Sequence, residues 1–337
     1  MKLTWLLWSV FSIALSGNLL AQELPAGNAV GDSISDNNTT DLSGAFFDGE
    51  SLWLVTNKGN NIWKAGLSTD RGGAVSIDGE KIKHWKVDRS GDYEAITKGG
   101  YASGDTLLLL DENSSGAIVE YTFDSINGRA TKGRTWKLPK YMSERSGLGS
   151  EGFTWVPETD EDDNFYWLCN ELPPTDKNGV VRNNSGCHAR DLDMLEGLFI
   201  IAHQDSGDLY AFRLLSNAID GERVVLYGRY GTAKGESAGL EFDTQAKQIV
   251  IWHGGKEDDI REGGDVNVLE RAILSLDKRN KQPNSLKSIE RRPYPVTEIG
   301  KGHNIEGIAW LPSTSDLFLT VDNKRNKPEN LLQLTVK

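Results

Sequence analysis

Cysteine is nearly absent: the 337-residue chain has two, Cys169 and Cys187. No second Cys motif exists to build a thiolate metal site, and His188 is the only imidazole beside the pair. Basic residues are outnumbered, 37 Lys and Arg against 49 Asp and Glu, for a net charge of -12. That balance excludes nucleic acid and anionic membrane surfaces as partners, since both select Lys- and Arg-rich faces. Beyond the N-terminal stretch, no segment approaches the roughly eighteen apolar residues that a membrane helix requires. Familiar catalytic signatures are not expected either. The chain reads as having no nucleophile elbow, no His-Glu-x-x-His pair, no phosphate-binding glycine loop before a helix, and few helices at all. Nor does a low-complexity linker or a shift in composition divide it.

What is present begins with an export signal. Met1-Lys2 is basic, Leu3 to Ser16 is mostly apolar, and Leu19-Leu20-Ala21-Gln22 offers a cleavage zone, so residues 1–22 are expected to be removed and the protein to be periplasmic or secreted. Residues 23–337 are then one domain, expected to be a soluble monomer. In an exported chain Cys169 and Cys187 should form a disulfide across the Pro-, Asn- and Gly-rich loop between them, a constraint of about 3 kcal/mol by chain entropy. Asn-x-Ser/Thr sites at Asn37, Asn38, Asn113 and Asn183 would matter only in a eukaryotic host.

The rest is a hairpin that returns. Ile305 to Leu311 and Leu317 to Val321 are short apolar runs around a Pro-Ser-Thr-Ser-Asp turn, with Glu306 near the first start and Asp322 after the second end. The same grammar joins Leu42–Phe47 to Leu52–Thr56, Tyr93–Ile96 to Leu107–Leu110, and Ser150–Trp155 to Phe165–Leu168. It returns from Asp191–Met194 to Leu198–Ala202 and from Ala238–Phe242 to Ile249–Trp252. Strands apolar on both sides need cover on both sides. Six such units, starting about 40 to 70 residues apart, predict an all-β, six-bladed β-propeller whose third blade is irregular or truncated. A strand within Asn28–Ile34 would complete the last blade, and Arg271–Leu276 and Ile289–Ile299 read as outer strands.

The order Leu-Ser-Gly, Asp-Tyr-Glu-Ala-Ile, Ser-Glu-Gly-Phe, Asp-Leu-Asp-Met with Ala-His-Gln-Asp-Ser-Gly-Asp-Leu-Tyr, then Asn-Ile-Glu-Gly-Ile-Ala resembles the SdiA-regulated family. That family is similar to propellers described as esterase-like phytases. The resemblance runs from Asp41 to Val336 and implies a propeller whose Glu-Gly strand starts ring a central channel, with calcium as the ion. This chain departs from it at Ser43 and Ala238, where no carboxylate stands.

The residues support a rim by themselves. Inner strands of a propeller run nearly along the axis, so their first residues gather at one mouth and the ends of the second strands overhang it. Glu94, Glu151 and Glu306 belong to the first set. Glu112, Glu171 and Asp322 belong to the second, as do Asp111, Asp205, His203 and His253, while Asp191 and His303 lie at or before strand starts. So many carboxylates repel one another unless protonated or bridged, and oxygen ligands suit calcium better than zinc. The expected metal set is Glu94, Glu151, Glu306, Glu112, Glu171 and Asp322. A hydrolase of a small ester, lactone or phosphate ester would take its base from His203, His253 or His303 and hold an anion with Arg190. The alternative is a non-catalytic propeller that binds a ligand or a protein at the same mouth. Against both stands a plainer account: a Glu at a strand start can latch a neighbouring blade, and an imidazole ending an apolar strand is commonly a hydrogen-bonded core group. His84 and Arg291-Arg292, on outer strands, carry no case for function.

Overall fold

Each second strand of a blade is apolar on both faces: Leu52 to Val55, Leu107 to Leu110, Leu198 to Ala202, Ile249 to Trp252 and Leu317 to Leu319. Such strands are stable only between two other layers. In the computed structural model they find those layers in neighbouring blades. The structure describes residues 42–56, 61–72, 75–88, 91–99, 104–112, 116–139, 149–157, 195–204, 207–216, 224–232, 237–254, 266–274, 286–295, 304–314, 316–322 and 331–336.

Blade 1 is β1 (Leu42–Phe47), β2 (Ser51–Thr56), β3 (Asn61–Thr69) and β4 (Val75–Lys86). Blade 2 is β5 (Tyr93–Thr97), β6 (Thr106–Asp111), β7 (Ala117–Asp124) and β8 (Arg129–Lys137). Blade 3 is β9 (Ser150–Val156), β10 (Leu198–His203), β11 (Asp208–Leu214) and β12 (Val224–Gly231). Blade 4 is β13 (Ser237–Asp243), β14 (Gln248–His253), β15 (Val266–Leu274) and β16 (Leu286–Pro295). Blade 5 is β17 (Asn304–Leu311), β18 (Asp316–Asp322) and β19 (Leu331–Thr335). Every sheet is an antiparallel meander in chain order, and the first strands β1, β5, β9, β13 and β17 pack in sequence around the axis, with β17 closing on β1.

Five apolar cores fill the five spaces between blades. Trp53, Trp85 and Phe123 pack between blades 1 and 2 with ring centroids 5.3 to 5.6 Å apart, the two indoles stacked and Phe123 tilted against both. Phe153, Phe199 and Phe212 join Trp136 between blades 2 and 3. Leu240 and Phe242 meet Ile200 between blades 3 and 4, Trp252 meets Trp310 between blades 4 and 5, and Leu54 meets Phe318 across the closure. Polar ties cross the same seams: Trp310 Nε1 donates to Asp243 Oδ2 at 2.8 Å, Lys64 to Asp105 at 2.7 Å, and Thr320 Oγ1 to the Ser43 carbonyl at 3.0 Å.

The described residues form five blades, which corrects the expected six. Ser150–Trp155, whose expected partner Phe165–Leu168 lies outside the described residues, is the first strand of blade 3. It pairs with β10, Phe153 opposite Ile201 and Trp155 opposite Phe199, so the expected third and fourth units are one blade. A two-strand ladder is fixed by its inter-strand hydrogen bonds and not by closeness in sequence, and here its partners lie over forty residues apart. Residues 158–194, between β9 and β10, lie outside the described residues. Blade 4's outer strands begin and end earlier than expected, at Val266–Leu274 and Leu286–Pro295. The export signal, the Asn28–Ile34 strand and the Cys169–Cys187 disulfide lie outside the described residues.

Candidate functional site

All five inner strands share one irregularity. Leu42 pairs with Thr56 and Gly44 with Val55, leaving Ser43 as a bulge. Glu94, Glu151, Ala238 and Glu306 are skipped in the same way. A β-bulge bends the strand and re-aims its extra side chain. Here it sits one or two residues inside the start of each inner strand, so five equivalent positions face one end of the channel. In ring order they hold Ser43, Glu94, Glu151, Ala238 and Glu306.

The residue after the bulge is small in every blade: Gly44, Ala95, Gly152, Gly239 and Gly307. The reason is proximity. A Cβ on Gly307 would lie 2.5 Å from the Ser43 carbonyl oxygen and 2.8 Å from the Gly44 Cα, and one on Gly44 would lie 2.7 Å from the Ala95 Cα. The backbones of adjacent inner strands touch at this level, which draws the bulged side chains together.

Glu94, Glu151 and Glu306 are 5%, 6% and 9% exposed. Burial pushes the Glu151 carboxyl well above its usual range, and the charges of Glu94, Glu306, Glu112 and Asp92 push it the same way. Blade 4 stands between blades 3 and 5, so the action of Glu306 on Glu151 runs across the channel. Donor atoms of Asp92, Glu94 and Glu112 come within 4.8 Å of one another. Glu112 also titrates upward because of burial, against a hydrogen bond from the Gly149 amide and with the Asp92 charge. Asp111 Oδ1 accepts from the Asp92 amide at 2.9 Å, fixing the start of β5 against the end of β6.

The structure therefore brings together Glu94, Glu151, Glu306 and Glu112 and adds Asp92, which sequence reasoning passed over. The signal for it was the Asp-Tyr-Glu spacing, which sets Asp92 and Glu94 on one side of an extended strand. Asp322 ends β18, its backbone opposite Asn304. Glu171, Arg190 and His303 lie outside the described residues.

The two placed histidines differ. His203 ends β10 opposite Ser150, next to the Glu151 bulge, buried with its ring edge toward Tyr210. His253 ends β14 and has both nitrogens engaged: Nδ1 is 3.2 Å from Ser237 Oγ and Nε2 is 2.9 Å from Glu270 Oε2. Arg291 donates to Glu270 Oε1 at 3.0 Å, so one polar chain crosses all four strands of blade 4. Burial raises the Glu270 carboxyl, but bonds from His253, Arg291 and Ser288 outweigh it and hold it down at about 2. Ser237, His253 and Glu270 have the connectivity of a hydrolytic triad. Ser237 also stands in Gly235-Glu236-Ser237-Ala238-Gly239, the nucleophile-elbow spacing that the sequence reading overlooked. Here the motif opens a strand and not a helix. All three groups are at most 1% exposed, and as placed they tie the blade together.

These features define a class: a β-propeller with a carboxylate-lined channel mouth. Similar solved structures include the Dos1 propeller, at 13% identity over 88% of this chain and 58% of that one, TM-score 0.37. A candidate 6-phosphogluconolactonase from Bacteroides fragilis NCTC 9343 has 10% identity over 86% and 67%, TM-score 0.36, and a Lactobacillus plantarum protein 10% over 74% and 54%, TM-score 0.35. The chain thus spans about half to two thirds of the length of these proteins. No family model matches the chain, and no curated protein does, so the SdiA-regulated resemblance rests on its motifs alone.

Proposed function

We propose that this is an exported, calcium-binding propeller that takes a small oxygen-rich molecule at its channel mouth through the bound ion. The observation that carries the reading is the convergence of Glu94, Glu151 and Glu306 from three blades, with Glu112 and Asp92 beside them, on one buried spot where, among the described residues, the charges acting on Glu151 are negative. Such a set near neutral pH holds either protons or a cation. Donors that are all carboxylate oxygens fit calcium. Glu171 and Asp322 join the ligand set in this reading, and Arg190 holds an anionic group of the guest. Bound there, the ion would polarise an ester, lactone or phosphoryl oxygen. Calorimetric titration of the chelator-treated chain tests it. Calcium should bind saturably, and Glu94→Gln, Glu151→Gln and Glu306→Gln should each weaken it at least tenfold. A stripped protein that takes up no divalent cation would end the reading.

A second reading is hydrolysis of such a small ester, lactone or phosphate ester, with His203, His253 or His303 as base. One observation favours it: His253 already joins a serine hydroxyl to a carboxylate. Fluorophosphonate labelling, and turnover of aryl esters and lactones with and without calcium, decide the matter. Labelling lost in Ser237→Ala, or turnover lost in His253→Ala, supports the enzyme. Silence in both assays, with a ligand still protecting the fold from melting, leaves the non-catalytic binding propeller.

A further inference from the structure

The flank between blades 1 and 2 has the opposite charge to the mouth. Lys81 to Lys86 on β4 carries three lysines, β8 carries four Lys or Arg, and neither stretch holds an acid, in a chain of net charge -12. Lysine on an outer strand ordinarily guards an exposed edge, and several of these cations are occupied. Lys81 pairs with Asp78 at 2.8 Å, Lys132 with Asp88 at 3.6 Å and Arg134 with Glu120 at 2.6 Å. Lys86 and Arg129 make no salt bridge among the described residues, and these two line one cavity.

That cavity, about 510 Å³, is bounded by His84, Trp85 and Lys86 of β4 and by Gly128 to Thr131 at the start of β8. Its walls are held. Trp85 Nε1 donates to the Asp124 carbonyl at 3.1 Å, fastening the turn before β8 against β4. The Asp124 carboxylate accepts the Ile126 and Asn127 amides at 2.8 and 3.0 Å and the Asn127 side chain inside that turn, and also feels the Arg129 charge opposite it. His84 stacks on Trp63 at 4.1 Å and is bonded to Asn61 at 2.7 Å. The cavity thus sets two cations and the Thr131 hydroxyl between fixed walls, with room for a guest larger than an inorganic ion.

We infer that this groove is a second ligand site, separate from the channel mouth, which takes the phosphate group of a small soluble phosphomonoester. Arg129 meets two phosphate oxygens through its planar fork, Lys86 supplies a compact charge from the facing strand, and Thr131 donates to a third oxygen. Phosphate fits better than a single carboxylate because two cations from two strands match a dianion with several acceptors.

The test uses the full chain freed of divalent ions by EDTA, titrated with inorganic phosphate and then with a sugar phosphate at constant ionic strength. Saturable binding is expected, tighter for the sugar phosphate, weakened at least tenfold by Lys86→Ala and by Arg129→Ala. Glu151→Gln, at the mouth, should leave it unchanged. Lys137→Ala removes a charge from β8 outside the cavity and should also leave it unchanged. Equal loss in Lys137→Ala would mean diffuse attraction and overturn the site. Binding lost in Glu151→Gln, or seen only when calcium is added back, would place the phosphate at the mouth instead, while absence of saturable binding to either probe with and without calcium would overturn the site and leave the mouth reading standing. Uptake by phosphatidylglycerol vesicles without uptake of free sugar phosphate would replace the soluble ligand by a lipid surface.

Discussion

Glu151 of blade 3 and Glu270 of blade 4 are both almost closed off from water, yet their acidities are driven in opposite directions. Glu151 is pushed up by burial and by four other carboxylates, whereas Glu270 is held at about 2 by His253, Arg291 and Ser288. Both are shut off from solvent, so exposure alone does not separate them. What separates them is whether the protein itself supplies the opposite charge. A carboxylate met by opposite charge holds a blade together, and one met by further carboxylates is material for a ligand.

The sharpest way to break this contrast is to neutralise each side in turn. Glu270→Gln should destabilise the protein by about 3–5 kcal/mol, because it strips the partner from a buried histidine and from Arg291. Urea unfolding measures it, and a cost near zero would mean that blade 4 does not depend on its polar chain. Glu151→Gln should act with the opposite sign. In the metal-free protein near neutral pH it should stabilise, because it removes a buried charge set among other carboxylates. Loss of stability on that change would make Glu151 a latch between blades, the plainer account.

The smallest effect is a pH profile. The Glu270 carboxyl lies below its unfolded value of 4.5, so its contribution is complete above that pH and drains away as pH falls through about 2. Glu151 lies above the same unfolded value, so the folded state binds its proton more tightly and stability falls as pH rises past 4.5. The metal-free protein should therefore melt a few degrees higher near pH 5 than near pH 7, a gain that Glu151→Gln or saturating calcium abolishes. A flat profile in the metal-free wild type would mean that the mouth carboxylates are already compensated.

Much of this was legible in the sequence because the inner strands carry local signals. Glu94, Glu151 and Glu306 each stand just before a small residue at the start of an apolar run, and the pairing that gathers them is between neighbouring strands. The blade count was not legible, because β9 pairs with a strand more than forty residues away, a pairing no local pattern states. Glu270 and Arg291 were hidden for a related reason. They reach His253 only across β14–β15 and β15–β16 pairings, whose register no local pattern states. Ser237 was in plain view, in a Gly-x-Ser-x-Gly run where none was expected.

The five bulges divide what heredity must preserve from what it can vary. A bulged residue has no ladder partner, so its identity costs the sheet little, and the small residue after it bears the steric constraint. Ser43, Glu94, Glu151, Ala238 and Glu306 are thus five letters written around one axis on a fixed page. Related chains can be sorted by that word alone, and rewriting Ser43 or Ala238 as Glu would show how many charges the page can hold before it tears.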